Sequence, residues 1–377
     1  MESDPGYAPR SATLRHDRTS TGHPMIARNR SRPTLVTVSV QGERTLPADQ
    51  VETLRERADV AFLARDDHMT SEDARFAFRQ ADVVAMTPKV APTLDEHLLR
   101  ELPRLRGVCL YATGYDFLDL PLLERHGIAL SVLPDYSTEA VAEHALGSLL
   151  SVAGRIHLAN DRSRRKVPTT TSLRGFELRG RTLGIIGCGR IGSRVAELAQ
   201  AFGMRTISHD IDPKPVAGVT YVEREELLAI SDAVTLHCPM VLGAPPMIDG
   251  RALAVMRPGS VLINSSRAAL VDDDAVAAAI RSGHLRGYAV DDELLDAPEL
   301  EDLRREGRVL QTGHSAWWSD ETLARGAVMW GEHIQAMLED APVHVVDAEA
   351  MRTGRVPARH ATIRLPVDHV ARSSAPG

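Results

Sequence analysis

The stretch that most constrains how this chain can fold runs from Thr182 to Asp210. Thr182-Leu183-Gly184-Ile185-Ile186 is an apolar run of strand length, and Gly187-Cys188-Gly189-Arg190-Ile191-Gly192 follows it without a spacer. Val195, Leu198 and Phe202 then recur at helical spacing until Gly203, a residue suited to ending a helix. A second strand, Arg205 to Ser208, comes next, and Asp210 closes it. Strand, glycine turn, helix and strand in that order make a βαβ unit, which requires a parallel sheet. The first glycine permits the tight turn, the second lets a phosphate approach the backbone, and the third lets helix and strand pack closely. The helix start offers N–H groups and partial positive charge to that phosphate. Asp210 lies about twenty residues beyond the glycines, where a carboxylate meets ribose hydroxyls. The unit is therefore expected to hold a dinucleotide through Gly187, Gly189, Arg190, Ile191, Gly192 and Asp210. The carboxylate, with no arginine directly after it, favours NAD over NADP, and Lys214 nearby leaves NADP open.

Similar alternation extends on both sides. Strands are expected at Leu35 to Val40, Val60 to Leu63, Val83 to Met86 and Gly107 to Tyr111, with helices at Ala48 to Arg57, Ser71 to Gln80 and Leu94 to Leu102. A long helix is expected from Ser137 towards Asn160, with Val141, Ala145, Leu149 and Val152 on one face, and a loop from Asp161 to Arg174. The second α/β series lasts to about Gln311. A last helix, Asp320 to Leu338, has no strand of its own and is expected to pack back on the first series. The expected division is a disordered leader over 1–34, an outer domain over 35–136 plus 313–347, a nucleotide domain over 137–312 and a loose tail over 348–377. The leader has no hydrophobic signal segment, and Met25 is an alternative start.

The whole-chain figures narrow the class. With 377 residues and 43% apolar content, two packed domains are expected. A net charge of -7 argues against a generally basic nucleic-acid binder. Cys109, Cys188 and Cys238 are too few and too scattered for a disulfide framework or metal cluster, which points to a reducing, cytoplasmic setting and no metal. No apolar run has the length of a membrane span.

Three further segments carry chemistry together: Asn264-Ser265-Ser266-Arg267, Tyr288-Ala289-Val290-Asp291 and Gly313-His314-Ser315-Ala316-Trp317. With the glycine motif, Ser231-Asp232 to His237-Cys238-Pro239 and Pro134 to Leu150, the chain resembles the D-isomer-specific 2-hydroxyacid dehydrogenases over roughly residues 83–338. Tyr111-Ala112-Thr113-Gly114-Tyr115-Asp116 is similar to the glycerate dehydrogenase branch. His314-Ser315-Ala316-Trp317-Trp318-Ser319 is similar to the carboxyl-terminal binding proteins, the co-repressor branch. The resemblance implies two doubly wound parallel-sheet α/β domains, a Rossmann NAD-binding domain inserted in a flavodoxin-like substrate domain.

It also implies an NAD-dependent oxidoreductase interconverting a 2-keto acid and its D-2-hydroxy acid. A guanidinium, here Arg267, grips the substrate carboxylate and polarises the adjacent carbonyl. An imidazole, here His314, gives the carbonyl oxygen its proton and takes it in reverse. A carboxylate beside the imidazole stabilises its charged form. The family places a glutamate followed by proline at that point; this chain has Asp296 followed by Ala297, with Glu293 as the alternative. Where the family usually has glycine after the arginine, this chain has Ala268. By the same resemblance Thr113 and Gly114 hold the substrate carboxylate through backbone N–H groups, and Trp317 walls the pocket. Ser265, Ser266 and Asp291 face the nicotinamide carboxamide, and His237, Cys238 and Pro239 line its ribose. Asp292 reads as part of an acidic turn, and His144 as ordinary helix polarity.

Ala85 stands where phosphoglycerate-oxidising relatives carry an arginine, although Lys89 lies close by. A small keto acid such as glyoxylate, hydroxypyruvate or pyruvate is the first expectation, and a specialised biosynthetic keto acid the second. A homodimer is implied by the family likeness alone. The alternative from another class is an NAD(H)-sensing, co-repressor-like binding protein with little turnover.

Overall fold

The computed structural model describes residues 32–241, 243–292 and 297–346. The leader as far as residue 31, the tail beyond 346, and Glu293 and Asp296 lie outside the described residues. In chain order the strands are β1 (Thr34–Ser39), β2 (Asp59–Ala64), β3 (Val83–Met86), β4 (Gly107–Leu110), β5 (Ala129–Ser131), β6 (Thr182–Ile186), β7 (Arg205–His209), β8 (Val219–Tyr221), β9 (Ala233–Leu236), β10 (Ser260–Asn264), β11 (Leu285–Val290), β12 (Val309–Gln311) and β13 (Val345–Val346).

They form two sheets. One runs β13-β5-β4-β3-β1-β2, parallel except for β13, and the other runs β12-β11-β10-β9-β6-β7-β8, parallel throughout. In the first, β1 to β5 follow the flavodoxin-like order 2-1-3-4-5; the second extends the dinucleotide-binding order 3-2-1-4-5-6 by one strand. Helices cover both faces, so central strands are apolar on each side. Val83, Val84, Ala85 and Met86 are all buried, as are Ala233, Val234 and Leu236.

The expected helices form at Ala48–Arg57, Ser71–Phe78, Glu96–Arg100 and Asp320–Leu338. The long helix is shorter than its periodicity suggests. It spans Thr138–Gly154, Arg155 turns left-handed at φ 52°, and a second helix, Ile156–Ser163, starts in a new direction and ends inside the span read as a loop. The Arg155 N–H closes on the Ser151 carbonyl, and the turn brings His157 Nε2 within 2.8 Å of the Gly307 carbonyl. A tertiary hydrogen bond here outweighs continuation of an apolar helix stripe.

The last helix returns the chain to the first sheet. Ser319 caps it by accepting from the Thr322 N–H, and Trp330 Nε1 donates to the Cys109 carbonyl of β4 at 3.0 Å. Gly326 lies so close to Tyr111 and Tyr136 that a Cβ would meet their rings. This docking carries the segment 313–319 back towards the end of β4. The chain then adds β13 to the sheet edge, a two-residue strand too short to show a pattern in sequence.

That edge is held by a histidine relay. Ser131 Oγ donates to the Val343 carbonyl at 2.7 Å, so it accepts from His333 Nδ1 at 3.0 Å, and His333 Nε2 in turn accepts from His344 Nδ1 at 3.0 Å. This chain of donors needs a neutral His333. Burial, assisted by the charge His344 can carry, pushes His333 from 6.5 down to about 4. The unfolded chain binds this proton below its ordinary value and the folded chain only near 4. Stability is therefore full above pH 6.5 and is lost as pH falls towards 4. Urea unfolding at pH 7 and pH 5 is expected to show the wild type losing about 2 kcal/mol more than His333→Gln. Equal losses in the two proteins would show that the relay does not carry this pH dependence.

Candidate active site

The three glycines of the motif have different surroundings. Gly187 sits at φ 90°, and a Cβ there would approach the His237 carbonyl carbon to 2.7 Å, so side chains are excluded where β6 and β9 end together. A Cβ at Gly192 would strike the Gly187 carbonyl, with Ile185 Cγ2 at 3.2 Å, which sets the close packing of helix on strand. A Cβ at Gly189 would meet nothing within 4 Å. Gly189 also caps the helix Arg190–Ala201 with no side-chain hydrogen bond, so no capping oxygen competes with a phosphate for that terminus. Arg190 and Ile191 open this helix, and Gly203 ends it at φ 76°.

Asp210 lies at the mouth of the same turn. Its Oδ2 accepts from the Cys188 N–H at 2.7 Å and its Oδ1 from the Asp212 N–H at 2.9 Å. On the other side of the turn, His237 Nε2 lies 2.8 Å from Thr235 Oγ1, while Nδ1 is buried with no partner among the described residues. Burial pushes His237 down to about 4, so it is neutral near pH 7. Burial also pushes the neighbouring Cys238 thiol up to about 11, and Pro239 is exposed beside it. An uncapped helix start, space at Gly189, a carboxylate at the strand end and an orphaned imidazole nitrogen together fit a bound dinucleotide.

The Arg267 turn is built by Asn264. Its Oδ1 accepts from the Ser266 N–H at 3.0 Å and its Nδ2 donates to the Arg267 carbonyl at 2.8 Å. Ser266 Oγ donates to the Leu236 carbonyl, tying the turn to β9. Ser265 lies between them at the end of β10. Ala268 has no positive φ, so alanine in place of glycine leaves this turn unstrained. The Arg267 guanidinium then reaches the loop after β4. Nε donates to both Asp116 oxygens at 3.1 Å, Nη2 donates to Oδ1 at 2.8 Å, and Nη1 donates to the Ser266 carbonyl at 3.1 Å. Nη2 lies against Gly114, where any Cβ would collide with it. Thr113 Oγ1 donates to the Leu133 carbonyl at 2.6 Å; among the described residues the Thr113 and Gly114 N–H groups have no acceptor.

His314 is reached from β12. Gly313 and His314 both lie in the left-handed region, at φ 62° and 56°, a costly conformation for a histidine. Asp291 holds them there. Its Oδ1 accepts from Thr312 Oγ1 and the Ser315 N–H, both at 2.8 Å, and its Oδ2 accepts from the Ala316 N–H at 2.9 Å. His144, from the helix Thr138–Gly154, adds an Nε2 contact of 3.0 Å to Thr312 Oγ1. Trp317 packs against Tyr136 with ring centroids 6.3 Å apart and against the exposed Trp318 at 4.8 Å.

Arg267 and His314 come together over two carboxylates that sequence reasoning left out. Asp116 bonds Arg267 and also feels the charge of His314. Asp292 accepts from the Ala268 N–H through Oδ2 at 2.6 Å and places Oδ1 3.9 Å from His314 Nδ1. Asp116 stands inside a quoted motif and Asp292 inside an acidic run. Neither position in sequence reveals which strand end it faces.

A sequence profile of the D-isomer specific 2-hydroxyacid dehydrogenase NAD-binding domain matches residues 146–316. A D-lactate dehydrogenase of Curvularia clavata is 32% identical over 307 residues, covering 76% of this chain and 86% of that protein. The chain belongs to the D-isomer-specific 2-hydroxyacid dehydrogenase family. A glyoxylate reductase of Thermococcus litoralis is 36% identical over 221 residues, 56% of this chain and 67% of that one. A D-lactate dehydrogenase from Aquifex aeolicus, crystallised with NAD and lactic acid, superposes with a TM-score of 0.66 at 25% identity, covering 82% of this chain and 96% of that chain. The family's domain over residues 146–316 is NAD-binding, and it contains the glycine turn described above. Among the described residues no helix is long and apolar enough to cross a membrane.

The second and third glycines separate folding from cofactor binding. Gly189→Ala is expected to unfold within about 1 kcal/mol of the wild type while weakening NADH binding at least tenfold. Gly192→Ala is expected to cost about 1–3 kcal/mol of stability because helix and strand must part. NADH fluorescence titration and urea unfolding check both; a Gly189→Ala variant with undiminished NADH affinity would deny that Gly189 faces the phosphates.

Proposed function

We propose that this protein reduces a small 2-keto acid to its D-2-hydroxy acid with NADH, and catalyses the reverse oxidation. The observation that carries this reading is the meeting of Arg267 and His314 over Asp116 and Asp292 at the ends of strands from both sheets. Arg267 has the fork to bind a carboxylate and draw electron density from the neighbouring carbonyl. His314 gives its proton to the carbonyl oxygen, so the alkoxide never has to exist free. Bound NADH supplies the hydride to the carbonyl carbon. The protein's own part is to fix the keto acid, supply the proton and exclude water.

Asp296, with Glu293 as the alternative, stays the carboxylate assigned to His314 and lies outside the described residues; among those described, Asp292 places Oδ1 3.9 Å from His314 Nδ1. The Thr113 and Gly114 N–H groups hold the far side of the substrate carboxylate, and Trp317 closes the pocket. Asp291 acts first on the protein itself, holding the His314 turn. Its Oδ2 retains a lone pair with which to meet a carboxamide. Gly187, Gly189, Arg190, Ile191, Gly192 and Asp210 take the pyrophosphate and adenosine ribose, and Ser265, Ser266, His237, Cys238 and Pro239 the nicotinamide end. The same reading takes 35–136 with 313–347 as the substrate domain around a nucleotide domain of 137–312, in a cytoplasmic homodimer.

The relatives' names, D-lactate dehydrogenase and glyoxylate reductase, support a short keto acid. Ala85 lies buried in β3 and offers no cation for a phosphorylated substrate. A panel of glyoxylate, hydroxypyruvate and pyruvate, followed by loss of NADH absorbance, tests the proposal. Arg267→Ala and His314→Ala are expected to lower kcat/KM by about a thousandfold or more. Full activity in either alanine variant refutes the assignment, and NADH binding without reduction of any acid supports a sensor instead.

A further inference from the structure

We propose that Asp116 is an internal anion seated on the Arg267 fork, which the substrate's carboxylate must displace. The proposal rests on the role given to Arg267 above. An aspartate carboxylate and the carboxylate of a 2-keto acid are the same chemical group, and Asp116 already engages Arg267 through the two-nitrogen edge that recognises carboxylates. It does so against Gly114, beside N–H groups of Thr113 and Gly114 that have no acceptor among the described residues, and within the field of His314. Burial acts to raise the Asp116 carboxyl, but the Arg267 hydrogen bonds and charge outweigh it and hold the group below its ordinary value.

Charge dictates the consequence. While Asp116 stays on the fork, the guanidinium charge is cancelled and its carboxylate-binding edge is occupied. An entering carboxylate finds that edge taken in this state. When Asp116 withdraws, one anion replaces another on the same fork and the local charge is restored. The loop 111–119 that carries Asp116 has no helix or strand, so the exchange breaks no ladder. The pair also joins the loop after β4 to the turn after β10, one from each sheet, so displacing it couples substrate entry to the contact between them. Neutral 2-keto compounds lack the charge to compete for the fork, which favours substrates with a carboxylate.

The test removes the charge and keeps the shape. Oxamate, an unreactive carboxylate of keto-acid size, is titrated calorimetrically into the NADH-loaded wild type, Asp116→Asn and Arg267→Ala, with kcat and KM measured on glyoxylate. Asp116→Asn is expected to bind oxamate roughly tenfold more tightly at low ionic strength and to lower KM in step, with the gain shrinking as salt is added. Arg267→Ala is expected to lose oxamate binding. Equal or weaker oxamate binding in Asp116→Asn overturns the proposal, as does a collapse of kcat with KM not lowered, which marks a residue that only aims Arg267. Asp116→Ser serves if the asparagine variant does not fold. If the wild type reduces no keto acid yet Asp116→Asn binds oxamate more tightly, the dehydrogenase reading fails and the internal anion stands. Turnover by the wild type with unchanged oxamate affinity in Asp116→Asn keeps the dehydrogenase reading and removes the internal anion.

Discussion

A single buried carboxylate, that of Asp291, holds the turn that carries His314. It leaves the end of β11 and accepts from Thr312, Ser315 and Ala316, the residues that surround His314. Without these acceptors the left-handed pair Gly313-His314 has nothing to offset its backbone cost, and the imidazole loses its direction. The same segment is where the chain leaves β12 and heads for the last helix. The aim of His314 and the path from one sheet back to the other are therefore fixed by one group.

The groups that meet here come from distant parts of the chain, and parallel topology is why they can. Asp116 follows β4, Arg267 follows β10, Asp291 and Asp292 follow β11, and His314 follows β12. Gly187, Asp210 and His237 directly follow β6, β7 and β9. Every one lies at the carboxyl end of a parallel strand, the edge where open α/β sheets gather their ligands. Since Asp116 of one sheet grips Arg267 of the other, the two carboxyl edges face a common space.

Much of this was legible because local rules and long-range packing agree. The strand Val83–Met86 and the helices Ala48–Arg57 and Asp320–Leu338 form within their expected limits, since their apolar periods agree with the packing they meet, and Ser319 caps the last helix. Of the motif glycines, Gly192 is needed for a contact within its own βαβ unit, whereas Gly187 packs against His237 at the end of β9. What escaped was decided by partners far along the chain. The break at Arg155 depends on Gly307, and β13 depends on the edge of β5. The assignments to Asp296 and Glu293 fall outside the described residues, while Asp292, read as part of an acidic turn, carries the contacts to Ala268 and His314.

On the proposed function, Asp116 and Asp292 also explain how a site for an anion can be stable before the anion arrives. Bringing a guanidinium and an imidazole together in a partly buried place is unfavourable unless negative charge accompanies them. Asp116 supplies it to Arg267 through direct hydrogen bonds, and Asp292 supplies it to His314 across 3.9 Å. The two differ in what a ligand can do to them. Asp292 is also tied to the Ala268 backbone at 2.6 Å, so it is fixed to the turn that carries Arg267. Asp116 projects from an irregular loop and holds the kind of group the ligand itself brings. On the proposed function, a fixed anion suits His314, which gives up and regains a proton every cycle, and an exchangeable one suits the Arg267 fork that substrate must enter.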